Sequence, residues 1–283
     1  MRTKNADLEL VLTALRAQRR AIREHERGTR AGRDPEDLHE MRVAVRRLRA
    51  ILRAGRAMFE REWTEGLRGE LEWLGTALGH VRDLDVLIAS LRSRLAGLPA
   101  TEGRIGAILL GDIEKDYARA RGRLHAALAG ARYRRLLRRL DAGLRRPPVV
   151  EPDVSLRDVA AREFEKLRSA VKDLPKHPAD EDLHAVRIKV KRARYAAELA
   201  REAVGRPARR FLQQARAVQD VLGDHQDSVV LERRLREAPG RSGDLRRITR
   251  KLIALERRRR ARQRAAFREE WPALKRRGRK AWR

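Results

Sequence analysis

Two stretches of this 283-residue chain set a histidine at the head of a row of cations. In the first, His39, Arg42, Arg46, Arg49 and Arg53 recur every three or four residues; in the second, His184, Arg187, Lys191 and Arg194 do the same. On a helix that spacing stacks side chains along one face, so each row becomes a ladder of donors. Guanidinium forks grip phosphate oxygens two at a time. An imidazole beside a polyanion takes up a second proton and becomes a donor at both nitrogens. The chemistry offered is the holding of a long anion. Arg47 and Arg192 also repeat, beside the ladders rather than on them, within reach of either a ligand or a neighbouring acid.

The ladders belong to a repeat. Asp37-Leu38-His39-Glu40-Met41-Arg42-Val43-Ala44-Val45-Arg46-Arg47-Leu48-Arg49 and Asp182-Leu183-His184-Ala185-Val186-Arg187-Ile188-Lys189-Val190-Lys191-Arg192-Ala193-Arg194 align without a gap. An internal repeat speaks of architecture first. Apolar rows run directly beside the basic ones: Leu38, Met41, Val45, Leu48 and Leu52 in the first copy, Leu183, Val186, Val190, Ala193 and Ala197 in the second. A solvated charged face normally lies opposite the core and mixes both signs. A single-sign stripe against the buried edge suits the wall of a crevice. A second block also recurs, Leu78-Gly79-His80-Val81-Arg82-Asp83-Leu84-Asp85-Val86 against Leu222-Gly223-Asp224-His225-Gln226-Asp227-Ser228-Val229-Val230. Asp83 and Asp227 are expected to pair with basic groups of the neighbouring helix and orient them. Gly79 and Gly223 sit inside helical patterns, where glycine costs about 1 kcal/mol against alanine, so a close helix approach is expected there. His80 and His225 do not superpose in the repeat and are secondary candidates for the ligand. Arg82 and Lys189 have no basic counterpart and read as structural or surface groups.

The elements that carry these rows read as helices throughout, with no alternating strand. They fall near 6–29, 34–59, 62–97, 102–128, 131–144, 155–173, 178–204, 207–237 and 243–269, with a tail from Trp271 to Trp282. Pro35, behind Asp34 as N-cap, opens one ladder helix, and Pro178 precedes Asp180, Glu181 and Asp182 at the other. The first ladder helix, Pro35 to Phe59, would be about 37 Å long. The prolines of 145–153 make the one clear linker. The fold class is therefore all-α: two pseudo-symmetric halves like four-helix bundles, 1–146 and 153–283, from an internal duplication, with a basic crevice or channel between them.

The formal net charge is +29, from 69 basic and 40 acidic residues, and such self-repulsion points to a polyanionic partner. Arginine outnumbers lysine by 59 to 10. With no cysteine, disulfides, thiolate metal sites and thiol nucleophiles are excluded. No metal and no cofactor is expected, because His39 and His184 each stand alone among cations that repel one. No phosphate-cradling glycine loop or nucleophile constellation is visible, so the expectation is a binder and not an enzyme. No apolar run approaches the ~18 residues of a membrane span or a leader's apolar core, which implies a cytoplasmic protein with no membrane partner. The run Glu256-Arg257-Arg258-Arg259-Arg260-Ala261-Arg262 wraps around a helix and reads mainly as basic surface. Nucleic acid is the rival polyanion, since charge alone does not separate the two. Against it, aromatics are only 4%, too few for base-stacking platforms, and no helix carries base-reading Asn or Gln; a binder of the nucleic-acid backbone alone stays open.

The His-x-x-Arg-Val/Ile-x-x-Arg/Lys-Arg-x-Arg pattern, met by His39–Arg49 and His184–Arg194 with Tyr195 following, resembles the hallmark of the CHAD domain, the conserved histidine α-helical domain. Leu78–Val86 and Leu222–Asp227 are similar to that family's Leu-Gly-x-x-Arg-Asp-x-Asp-Val and shorter Leu-Gly-x-x-x-Asp blocks, and the likeness spans the whole chain. The resemblance implies two helical bundles enclosing a basic cavity or channel that binds inorganic polyphosphate, often at polyphosphate granules and alongside polyphosphate-metabolising enzymes. Some members follow a CYTH-type triphosphatase domain with a Glu-x-Glu-x-Lys signature. Glu163-Phe164-Glu165-Lys166 lacks that spacing, so the expectation is a stand-alone binding domain.

Overall fold

Apolar residues recur every three or four positions almost without a break, and the chain answers with helices. The computed structural model describes residues 2–151, 154–237 and 242–283. In chain order they form α1 (Arg2–Ala31), α2 (Pro35–Ala54), a 3₁₀ turn (Arg56–Met58), α3 (Arg61–Ala96), α4 (Ala100–Gly106), α5 (Ile108–Ala129) and α6 (Ala131–Arg145). Then follow α7 (Leu156–Lys172), α8 (Asp180–Leu199), α9 (Arg201–Val204), α10 (Arg206–Glu237) and α11 (Gly243–Trp282). The fold is all-α; among the described residues the one β feature is an isolated bridge between Phe59 and Val149. Residues 152 and 153 of the expected linker, and 238–241 of the expected second half, lie outside the described residues.

Three cores hold these helices. The first gathers α1, α2, α6 and the N-terminal half of α3, with Leu124 and Leu128 of α5, and takes in Leu156 of α7 and Leu199 of α8. The second packs α7, α8, α10 and α11 around Phe164, Val190, Phe211, Phe267 and Leu274. The third lies where the far ends of the long helices meet: Leu91 and Leu95 of α3, Ile113 of α5, Leu231 and Leu235 of α10, Ile248 and Leu252 of α11. The early and late parts of the chain are thus joined by apolar packing away from the ladder helices as well as beside them. The linker is also tied down: Val150 N–H donates to Met58 O at 3.0 Å and Glu60 N–H to Pro148 O at 2.9 Å.

Several boundaries differ from expectation. α2 stops at Ala54, because Gly55 caps it through an N–H bond to Ile51 O, so it is about 30 Å long rather than 37. Residues 102–128 divide into α4 and α5, and 178–204 into α8 and α9. The expected tail is instead the continuation of α11 straight through Pro272. Proline removes one donor, but Phe267, Leu274 and Ala281 on either side of it are buried against α7, α8 and α10, and that burial outweighs the loss. Gly278 is required there: a Cβ would stand 2.1 Å from a ring carbon of Phe164. Asp34 does cap α2 by accepting from Glu36 N–H, and Asp182 accepts from Ala179 N–H at the start of α8. Asp180 is drawn away, lying 3.1 Å from His225 Nε2 and paired with Arg264.

Candidate anion-binding site

The ladder helices α2 and α8 lie against each other, which follows from their apolar rows. Leu38, Met41, Val45, Leu48 and Leu52 are sunk in the first core, while Leu183, Val186, Val190, Ala193 and Ala197 are sunk in the second. With those faces committed to different cores, the adjoining cationic faces converge. At the crossing, Arg46 Nε donates to the Tyr195 hydroxyl at 2.7 Å.

Beside that bond opens a cavity of about 480 Å³ between α2, α3, α7 and α8. Its wall carries Arg46, Arg49 and Arg53 from α2, Arg56 from the turn after it, Arg68 from α3, Arg162 and Lys166 from α7, and Lys191 and Arg192 from α8. Against these nine cations stands one acid, Glu163, which is already held by Lys166 at 2.9 Å. Arg49 has an outside partner, Glu72 at 2.8 Å, and Arg68 has Glu65 at 2.6 Å.

The rest of the charge is uncompensated, and protonation shows it. Burial, and then the fields of Arg187, Arg46, Arg42 and Arg194, push the Lys191 ammonium down to about 7. Burial and Arg192 likewise lower Arg53. Arg42 and Arg187 are lowered chiefly by burial, with Asp83 pulling Arg42 back and Asp227 pulling Arg187 back. The buried Nε atoms of Arg187 and Arg68 have no hydrogen-bond partner among the described residues. Cations without acceptors, gathered in and beside a pocket of one sign, are what a bound anion would satisfy.

The expected site residues divide. Arg46, Arg49, Arg53, Lys191 and Arg192 line the cavity. Arg42 and Arg187 stand one turn beyond, close enough to depress Lys191 but not on the cavity wall. Asp83 binds Arg42 at 3.1 Å, the orienting role expected of it. His39 lies farther along, its Nδ1 buried without a partner and its basicity lowered by burial and by Arg82. His184 is exposed, with Nδ1 2.7 Å from Gln226 Oε1. Arg47 is half-buried off the cavity. Arg194 stands apart from the ladder: it is 6% exposed, bonded to Glu198 at 2.7 Å and laid over the Tyr195 ring at 4.6 Å, because its own helix supplies both partners.

Other expectations need correction. His39 is not isolated from acids: ligand atoms of Glu36, His39 and Glu40 lie within 4.8 Å of one another, as one turn of helix dictates, though the fields of Arg82 and Arg46 oppose a cation there. His225, a secondary ligand candidate, is buried beside Asp180, Arg260 and Arg264 and serves that network. Gly79 and Gly223 do not mark a close helix approach; a Cβ on Gly79 would rest 3.6 Å from Arg42 Nε, and one on Gly223 would meet nothing within 4 Å. The run 256–262 is mostly exposed, as expected, but its inner edge is an ion network: Glu256, buried, binds Arg94 at 2.6 Å, Arg257 and Arg260 reach Glu232, and Arg259 reaches Asp224. Sequence reasoning missed Arg56, Arg68, Arg162 and Lys166. The Arg162-x-x-x-Lys166 spacing on α7 was the one available signal.

The family model described as CHAD domain matches residues 13–236. Among curated proteins, an uncharacterized protein of Mycobacterium tuberculosis, found in two strains, is 33% identical over 209 residues, covering 68% of this chain and 38% of its own length. The chain therefore spans about two fifths of those relatives. Two solved structures share the fold. PptA from Streptomyces chartreusis superposes with a TM-score of 0.80 at 22% identity, covering 93% of this chain and 98% of that one. The CHAD domain from the plant Ricinus communis gives 0.76 at 28% identity, covering 94% and 90%.

Proposed function

We propose that this chain, which belongs to the CHAD domain family, binds inorganic polyphosphate with the cationic faces of α2 and α8. One observation carries the reading: nine cations and a single, already paired carboxylate face one cavity. A chain of phosphates supplies closely spaced oxygens of constant charge, and desolvated guanidinium forks bind such oxygens strongly. Arg46, Arg53, Lys191 and Arg192 form the centre of the track, and Arg42 and Arg187 extend it toward His39 and His184. In this reading the two parts of the chain, on either side of the linker, each contribute one wall.

The reading is of a binder and not a hydrolase. Catalysis of phosphoryl transfer to water is helped by a base or a positioned nucleophile; the one acid on the cavity wall is engaged by Lys166, and Lys191, the other candidate base, is in this reading kept protonated by the bound phosphate. Among the described residues no helix is long and apolar enough to cross a membrane. Cytoplasmic polyphosphate granules, and enzymes that make or consume the polymer, are the partners this proposal implies.

The test is competition among long polyphosphate, duplex DNA and single-stranded RNA for the purified protein, matched by phosphate content. Polyphosphate is expected to win, with an affinity that falls steeply with salt as displaced counterions cease to drive binding. DNA binding as well as polyphosphate at moderate salt would transfer the assignment to a nucleic-acid backbone.

A further inference from the structure

Half of the cavity is not made for phosphate. Between its cations the wall is apolar, formed by Val154, Val159 and Ile188 with the alanines of α2 and α8. Ile188 is one of a few large apolar side chains left open among the described residues, at 37% exposure. Its counterpart in the repeat, Val43, is 8% exposed and off the cavity, so the two ladder helices differ here. An inorganic phosphate chain presents only oxygen to its surroundings and gains nothing from such a wall. A ligand with a phosphate tail and an apolar ring gains from both surfaces. The enclosed volume of about 480 Å³ also matches a small molecule better than a polymer.

From this juxtaposition of cations with an open apolar wall, we propose that the cavity takes a nucleoside triphosphate, its phosphates on Arg53, Lys191 and Arg192 and its base against Ile188 and Val159. The inference rests on the reading of this cavity as an anion site and adds a ligand to it. The apolar contacts accept any base, and among the described residues no Asn, Gln, Ser or Thr lines the wall. Guanidinium planes stack on any base. The site is accordingly indifferent to base identity.

The experiment titrates the whole protein, without magnesium, with ATP, GTP, tripolyphosphate and long polyphosphate. Tripolyphosphate has the same number of phosphates and more charge than ATP, so pure electrostatics favours it. The expected result is the reverse: ATP and GTP within a few-fold of each other and at least ~10-fold tighter than tripolyphosphate. Ile188→Ser and Val159→Ser should erase that margin while leaving tripolyphosphate and long polyphosphate binding unchanged, which also certifies that the variants are folded. Arg53→Ala with Arg192→Ala should weaken every ligand. Long polyphosphate binding with ATP no tighter than tripolyphosphate would overturn the nucleotide site alone. Failure of all four ligands would overturn it together with the polyphosphate reading.

Discussion

If polyphosphate fills this cavity as proposed, Lys191 should make its affinity a function of pH near neutrality. Its ammonium is buried against Arg187 and Arg194 of its own helix and Arg46 and Arg42 of α2, with no carboxylate among its dominant neighbours, and is pushed down to about 7 from 10.5. An anion in the cavity supplies the missing countercharge and restores the proton. If a bound phosphate returns the group to its ordinary value, linkage gives an affinity nearly flat below pH 7 and about 50-fold weaker at pH 9 than at pH 7. Partial restoration gives a smaller factor. The free protein moves the other way: between about 7 and 10.5 the unfolded chain holds a proton that the native state has lost, so stability rises with pH across that window. The assay is equilibrium binding of long polyphosphate at pH 6, 7, 8 and 9 and fixed ionic strength, on wild type and Lys191→Arg. Arginine keeps its charge throughout, so its curve should be flat between pH 7 and 9. His39, lowered by burial and by Arg82 in the free protein, is common to both proteins, so any proton it takes up on binding cancels in the comparison. Equal slopes for wild type and Lys191→Arg would refute the reasoning.

Two further outcomes follow from the geometry. Arg46→Ala with Arg53→Ala should weaken polyphosphate binding by about 1.5–3 kcal/mol per well-formed contact, whereas Arg250→Ala with Arg258→Ala, on the exposed side of α11, removes the same formal charge with little effect; equal losses in calorimetry would mean that only bulk charge matters. Glu232→Gln should destabilise the fold by about 3–5 kcal/mol in urea unfolding, since Glu232 is 3% exposed and neutralises Arg260, which is itself largely buried.

The ladder helices were legible because a three- and four-residue period states which face is buried and which carries charge, and because the period occurs twice. Arg46, Arg53 and Lys191 could be named from that alone. Arg68, Arg162 and Lys166 could not, since they reach the cavity from α3 and α7, whose positions are set by tertiary packing that no local pattern records. Tyr195 was visible as the residue following a ladder, but its bond to Arg46 depends on how α2 and α8 cross. Runs of like charge misled in part, for the same reason. Most of Glu256 to Arg262 is the solvated surface the sequence implies, yet Arg259 and Arg260 within it are paired with Glu232, Asp224 and Asp180, which come from α10 and α8. Pro272 argued for a break that burial on both sides of it overrides.

That distribution of acids bears on function. The chain has 40 acidic residues for 69 basic ones, so the acids cannot match the cations one for one, and the fold decides where they are spent. Around α10 and α11 the less exposed cations are answered, Arg94 by Glu256, Arg234 by Asp116, Arg260 by Glu232 and Asp180, Arg264 by Asp180, while others such as Arg250 and Arg258 lie open to solvent. Where α2, α7 and α8 meet, Arg53, Lys191 and Arg192 have no carboxylate within ion-pair distance among the described residues, and burial together with neighbouring cations lowers the basicity of Lys191 and Arg53. A charge cluster that strains the empty state contributes the relief of that strain to binding, in addition to the direct contacts. Neutral replacements such as Lys191→Met should therefore raise the melting temperature of the free protein while lowering the increment that polyphosphate adds to it. If the melting temperature of the free protein fell instead, Lys191 would be a packing residue, and its charge would not strain the empty state.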